Sequence, residues 1–179
     1  SADMDYPRAL IANDQADAAS LTPFAIGRLV LWTTNSQLKL TDPKSALSDS
    51  RVRHIAIAHP DTAPYGRAAL EILEKLNLTS ILRPKIVIGE NVSQAAQFVA
   101  SGNADLGFVA LSLVLAPQLK ERGLWIEVPA AWHSPITQGA VITKKGRTNG
   151  AARNFLTFLQ SPVARKIFAR FGYHVPAQP

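Results

Sequence analysis

Between residues 54 and 128 the apolar positions fall into short blocks of two kinds that take turns along the chain. His54-Ile55-Ala56-Ile57-Ala58, Lys85–Ile88, Leu106–Leu111 and Trp125–Val128 are brief runs rich in β-formers and are predicted as strands. After the first run, Ala68, Ala69, Ile72, Leu73 and Leu76 recur at the spacing of one helix face, which predicts a helix over 64–76. A second helix is predicted over 91–101, closed by Gly102 where a left-handed residue is favoured, and a short one runs from the third strand to about 120. Strands that alternate with helices imply an α/β unit: a mostly parallel sheet with helices on both faces. Its ligand site belongs at the carboxyl ends of the strands, where the helix N-termini point.

The flanks follow a different pattern. Residues 5–13 read as a short helix, with Asp5 near the cap and Pro7 in the first turn, where a missing N–H matters little. Phe24–Thr33 is one apolar run and predicts one strand; residues 34–50, with Asp42-Pro43, predict a loop holding a turn of helix. Ile136–Thr143 predicts a strand and 149–159 a helix. Ser161-Pro162 starts another helix with a serine cap and proline at the first position, and Gly172 ends it. The strands at 24–33 and 136–143 flank the alternating block and are candidate crossovers between two lobes. The sequence has no internal repeat and no low-complexity segment.

Composition narrows the chemistry. The chain has 179 residues, 47% hydrophobic and 18% charged, which is ordinary for one or two globular units. The net charge is +6, but the cations are scattered, with Lys144, Lys145 and Arg147 the densest group. No stripe of basic and aromatic residues marks a nucleic-acid surface, so no nucleic-acid partner is expected. The absence of cysteine excludes disulfides, zinc–cysteine sites and thiol nucleophiles. No apolar run approaches the ~18–20 residues that span a bilayer. No signal peptide or initiator Met precedes Ser1-Ala2-Asp3, so processing or a cloning boundary is expected to have removed what came before.

Catalytic patterns are missing. There is neither a phosphate loop nor a GxGxxG; Gly102-Asn103-Ala104-Asp105-Leu106-Gly107 reads as a helix stop and a strand start. His54, His59, His133 and His174 include no i, i+4 pair, and each reads as a surface or structural residue rather than a metal ligand. No GxSxG occurs, no catalytic residue is nominated, and the chain is not expected to be an enzyme. Two segments are more informative. Ala63-Pro64-Tyr65-Gly66-Arg67 follows a strand and opens a helix, and Asn91-Val92-Ser93 does the same after the next strand. The first N–H groups of a helix lack partners within it and carry the positive end of its dipole, so two such starts on one sheet edge suit an oxyanion. Gly66 is expected to let backbone or ligand approach closely.

These segments also carry a resemblance. His54-Ile55-Ala56-Ile57-Ala58-His59-Pro60, Ala63–Ala69, Gly89–Ala95 and Ala104–Ala110, with the start Ser1–Pro7 and the ending Ser161–Tyr173, resemble in order and spacing the periplasmic molybdate-binding proteins of ABC transporters. No one of the six is diagnostic; their common order is. The resemblance implies the type II periplasmic-binding-protein fold, two-lobed, with the ligand in the cleft. It assigns 28–137 to the second lobe and 1–27 with 138–179 to the first. It implies molybdate or tungstate as ligand, no cofactor, no free metal cation, a periplasmic location, and the membrane permease of an ABC transporter as partner. It places oxyanion donors at Tyr65 and Val92, chiefly through backbone N–H, with Pro64, Gly66 and Asn91 as neighbours.

The sequence departs from the family in two places. Some members use a tyrosine side chain where this chain has Ala110. Members also begin with a strand, helix and strand that carry Ser, Thr or Asn donors, and these have no counterpart before Ser1. The expected architecture is therefore one complete lobe and one incomplete lobe. Such a fragment is expected to bind molybdate weakly when alone and to expose apolar surface that favours self-association. Arg67 is expected to point away from the anion into solvent, since the family uses neutral donors. Two alternatives share the architecture: a receptor for another small anion (sulfate, phosphate or a carboxylate), and the ligand-sensing domain of a transcription regulator.

Overall fold

Local signals place most helix starts where the structure has them. A computed structural model describes residues 1–176. Along the chain, α1 spans Asp5–Ala12, β1 Thr22–Gly27, β2 Leu29–Thr33, α2 Pro43–Ser48 and β3 Ile55–Ala58. Then come α3 Pro64–Lys75, α4 Thr79–Leu82, β4 Ile86–Gly89, α5 Val92–Ala100, β5 Leu106–Ala110 and α6 Leu111–Val114. β6 Leu124–Glu127, β7 Ile136–Ala140, α7 Gly150–Leu159 and α8 Pro162–Arg170 complete the order. The caps explain the boundaries: the side chains of Asp42, Asn91, Asn149 and Ser161 accept first-turn N–H groups of α2, α5, α7 and α8. Gly102 and Gly172, both at φ 78°, supply the left-handed residue after α5 and α8.

The chain divides into two compact units, Arg28–Pro135 and Ser1–Gly27 with the described residues from Ile136 onward. Positions 177–179 of the expected C-terminal segment lie outside the described residues. Arg28–Pro135 is built on a five-stranded sheet in the order β4-β3-β5-β2-β6. β3 pairs in parallel with β4 and β5, but β2 is antiparallel to both β5 and β6. The sheet is thus mixed, not mostly parallel as the alternating pattern suggests. Side-chain periodicity reports which strands are buried and is blind to their direction.

Burial follows position in the sheet. β2, β3 and β5, with a strand on either side, are buried throughout, whereas the edge strands β4 and β6 are half-buried or exposed over most of their length. On one face Val30, Trp32, Ala56 and Val109 form a core with Ala95, Ala96 and Val99 of α5. Ile57, next to Ala56 and so on the opposite face, lines a cavity together with Leu70 of α3. Trp32 is fully buried, and its indole N–H donates to the Arg122 carbonyl at 2.7 Å.

The other unit pairs β1 with β7 antiparallel, Thr22 opposite Ala140 and Gly27 opposite Ile136, with an irregularity between Pro23 and Ala25. A proline cannot donate to a ladder and sits readily at such a bulge. The run 24–33 is therefore two strands in two sheets, with Arg28 between them; Gly27-Arg28 interrupts the apolar residues, and the two halves take different partners. Ile136 and Thr137 belong to this ladder and not to the second-lobe sheet. β7 stops at Ala140 because Ile142 N–H turns to the Ser20 hydroxyl at 2.8 Å. The helix after β5 is one turn, not a helix to 120. The helix at the N-terminus starts at Asp5, and the Asp3 carboxylate rather than Asp5 accepts the N–H groups of Asp5 and Tyr6. Phe168 of α8 packs on Phe24 and Tyr173 with centroids 5.5 and 6.1 Å apart. Phe155, Phe158, Val163 and Ile167 on α7 and α8 are exposed. No helix among the described residues is long and apolar enough to cross a membrane.

Trp32 makes this core testable. Trp32→Ala should destabilise the protein by ~3–5 kcal/mol through the cavity it leaves. Trp32→Phe should cost ~1–3 kcal/mol, mainly by stranding the Arg122 carbonyl. Urea denaturation of the two variants gives both values.

Candidate functional site

Two helices begin side by side because two strands end side by side. Ala58, the last residue of β3, lies opposite Gly89, the last residue of β4, in a parallel ladder. Each strand runs through a short loop into a helix, so α3 and α5 open at the same carboxyl edge of the sheet. In α3 the cap residue Ala63 is extended and offers no side-chain cap, and Pro64 holds the first position. Proline has no N–H, so Tyr65 carries the first backbone donor of this helix. Gly66 and Arg67 N–H both go to the Ala63 carbonyl, at 3.0 and 3.2 Å.

In α5 two side chains close the helix start. The Asn91 side chain accepts from Gln94 N–H at 3.0 Å, and the Gln94 side chain accepts from Glu90 N–H at 2.6 Å. Val92 is the first helical residue and carries the first donor of α5. Neither first turn contains an acidic residue, so no carboxylate within them opposes an anion. The Asn91 side chain, expected beside the anion, is occupied by its own helix.

Both units are drawn tight at this edge. A Cβ on Gly66 would stand 2.2 Å from the Ala58 carbonyl oxygen, and one on Gly89 2.9 Å from the Ala95 nitrogen. The space expected at Gly66 for backbone or ligand is taken by the backbone of Ala58 and His59. Tyr65 is buried, Pro64 and Val92 are half-buried and Asn91 is exposed. Arg67, expected in solvent, is half-buried. It is the fourth residue of a helix in which its neighbours Gly66, Ala68 and Ala69 are buried.

The rest of the edge is set by β5 and β2. β5 ends at Ala110, a buried methyl with no donor to offer. Opposite it, β2 begins at Leu29, and the Arg28 carbonyl just before accepts Leu111 N–H at 2.9 Å. The Arg28 guanidinium grips the Glu127 carboxylate through two hydrogen bonds, the Nε–Oε1 one at 2.6 Å. That grip raises the Arg28 pKa above its usual value, against the opposing effect of burial. A cation at this edge is therefore already matched by a carboxylate. Sequence reading missed the pair, whose members lie 99 residues apart and share no motif.

The histidines do not converge. His54 Nδ1 lies 3.9 Å from Asp105, His59 Nδ1 accepts Asp61 N–H at 3.3 Å, His133 Nδ1 is 2.7 Å from the Ser134 carbonyl, and His174 forms a β-bridge with Ile26. Among the described residues no three His, Cys, Asp or Glu are grouped to hold a metal ion.

Comparison with known proteins adds relatives to this geometry. The family model of the bacterial extracellular solute-binding proteins matches residues 1–174. The molybdate-binding protein ModA of Rhodobacter capsulatus is 40% identical over 173 residues, covering 97% of this chain and 67% of that protein. ModA of Azotobacter vinelandii is likewise 40% identical, over 97% of this chain and 68% of its own length. A solved structure, the periplasmic molybdate-binding protein of Azotobacter vinelandii, superposes with a TM-score of 0.91 at 37% identity, over 99% of this chain and 77% of that one.

The side-chain cap on α5 makes Asn91 a stability residue. Asn91→Ala should cost ~1 kcal/mol in chemical denaturation, and Asn91→Ser should restore most of it, because serine caps nearly as well.

Proposed function

The chain belongs to the bacterial extracellular solute-binding protein family, and on that premise we propose that it binds molybdate or tungstate in the periplasm for delivery to the permease of an ABC transporter. The observation that carries the reading is the pair of adjacent helix starts, α3 and α5, each presenting its first backbone donor at one sheet edge. The chain as a whole is similar to proteins named for molybdate. We assign Tyr65 and Val92 N–H as two of the oxyanion's donors, with Pro64 setting the first of them and Asn91 holding the helix that carries the second.

The chemistry of the edge suits a tetrahedral dianion. Stripping such an ion of water is very unfavourable unless fixed dipoles replace it. Backbone N–H groups at helix starts do so without reorganising, and they present the wrong end of the dipole to a cation. The Arg28 charge is compensated by Glu127, which leaves neutral donors as the main attraction. Binding of this kind needs no bond making or breaking, and we assign the protein no reaction and no cofactor. Release to the permease then depends on differential contacts in the liganded and empty states.

Selectivity follows from size. Sulfate shares the shape and charge of molybdate but has shorter bonds to oxygen, and a rigid seat leaves it short of some donors. Calorimetry on the protein carrying this chain should find molybdate and tungstate bound comparably and sulfate much more weakly. Displacement of molybdate by sulfate at similar concentration would replace this assignment with a general small-anion receptor.

Val92 offers a test of the donor itself. Proline is well tolerated at the first helical position, and Asn91 before it is already extended at φ −150°, ψ 174°. Val92→Pro should therefore remove one N–H and little else, weakening molybdate by ~1.5–3 kcal/mol with near-normal thermal stability. Val92→Ala keeps the donor and should change affinity little. Equal affinities for the two variants would remove Val92 from the site.

A further inference from the structure

Gly66, in the first turn of α3, and Gly89, at the end of β4, each lie where a strand end meets the helix that follows it. Neither is needed for its backbone conformation: the glycines with positive φ are Gly102, Gly123 and Gly172. What Gly66 and Gly89 supply is the missing Cβ. A Cβ on Gly66 would fall 2.2 Å from the Ala58 oxygen, more than an ångström inside the 3.4 Å at which ordinary contact begins, and 2.8 Å from the Ala58 carbonyl carbon. On Gly89 it would fall 2.9 Å from Ala95 N, 3.2 Å from the Gln94 carbonyl carbon and 3.3 Å from the Asn91 oxygen, a milder conflict. Every one of these neighbours is backbone, which cannot rotate away. Those beside Gly66 belong to the end of β3, a buried strand held between β4 and β5. The helix start must therefore be what yields.

We infer that Gly66 and Gly89 are positioning residues that set the gauge of the oxyanion seat. By allowing each first turn to lie against its strand end, they fix where the Tyr65 and Val92 donors stand, and with that the size of tetrahedral anion that reaches both. The inference rests on the molybdate reading above and adds its size selectivity. A side chain at 66 moves the start of α3 outward by a distance comparable to the whole tolerance of a hydrogen bond. Molybdate then meets the same shortfall that sulfate meets in the unaltered protein, and its advantage shrinks. The shift at Gly89 is smaller, so its effect is smaller.

The experiment compares Gly66→Ala, Gly89→Ala and Gly107→Ala in the protein carrying this chain. Gly107 is the control: its Cβ would strike the Val99 side chain at 2.6 Å, in the core and away from either helix start. Molybdate, tungstate and sulfate affinities are measured by calorimetry, and stability by thermal denaturation. Gly66→Ala should bind molybdate about tenfold more weakly or worse, the scale of one weakened bond to a charged ligand. Its molybdate-to-sulfate ratio should fall, Gly89→Ala should lie between it and the parent, and Gly107→Ala should lose stability while its folded molecules keep affinity and ratio. If Gly66→Ala does not fold, the ratio in Gly89→Ala decides. Unchanged ratios in the folded glycine variants, or losses that merely track stability in all three, overturn the inference and leave the molybdate assignment standing. A parent protein that binds neither molybdate nor tungstate overturns both.

Discussion

Parallel pairing of β3 with β4, Ala58 level with Gly89, is the constraint from which the candidate site follows. Two parallel strands that end level release their chains at the same edge, and each chain must climb into a helix to return. The helix starts then stand next to each other with their dipoles aimed the same way. A stagger of a few residues would separate the donors by a strand's rise per residue for each step. An antiparallel pair would put them at opposite edges. Pro64 and the Asn91–Gln94 cap only refine what the pairing has arranged. Proline removes one donor so that Tyr65 carries the first, and the cap satisfies Gln94 N–H so that the groups before it are the ones presented.

The antiparallel half of the sheet serves that edge differently. β2 runs against β5 and β6, so its beginning, not its end, lies beside the carboxyl end of β5. This brings Arg28 to the edge, where an unmatched guanidinium would attract any anion without regard to shape. Glu127, on the next strand, takes up that charge in a two-bonded pair. The far end of β2 carries Trp32, whose burial and indole hydrogen bond tie the strand into the α5 face of the core. Ala95, Ala96 and Val99 of α5 pack on that face.

The unit that holds α1, β1, β7, α7 and α8 is built on the smaller of the two sheets. Its sheet has two strands, and such a sheet gains little stability without packing on one face. Phe24, Phe168 and Tyr173 provide part of that packing through tilted and edge-on rings. The apolar positions of α7 and α8 that face elsewhere, Phe155, Phe158, Val163 and Ile167, are exposed.

Features governed by neighbours in sequence were legible from the residues alone. Asn91, Ser161 with Pro162, Gly102 and Gly172 mark helix ends through contacts that reach only a few residues. The apolar runs at 55–58 and 106–110 are strands because their burial is nearly uniform. The identity of Tyr65 and Val92 as first residues with donors also follows locally, from a proline and a capping asparagine. What could not be read depends on partners far along the chain. The two halves of the run at 24–33 join different sheets because of the strands they pair with. β2 reverses the sheet because of whom it pairs with, not what it contains. Gly66, legible as a glycine near a helix start, takes its meaning from the Ala58 carbonyl that a side chain would strike. Arg28 and Glu127 meet only after the strands that carry them are paired. Local chemistry acts through the backbone of adjacent residues, whereas strand direction, close approach and charge pairing are set by surfaces that come together only in the folded chain.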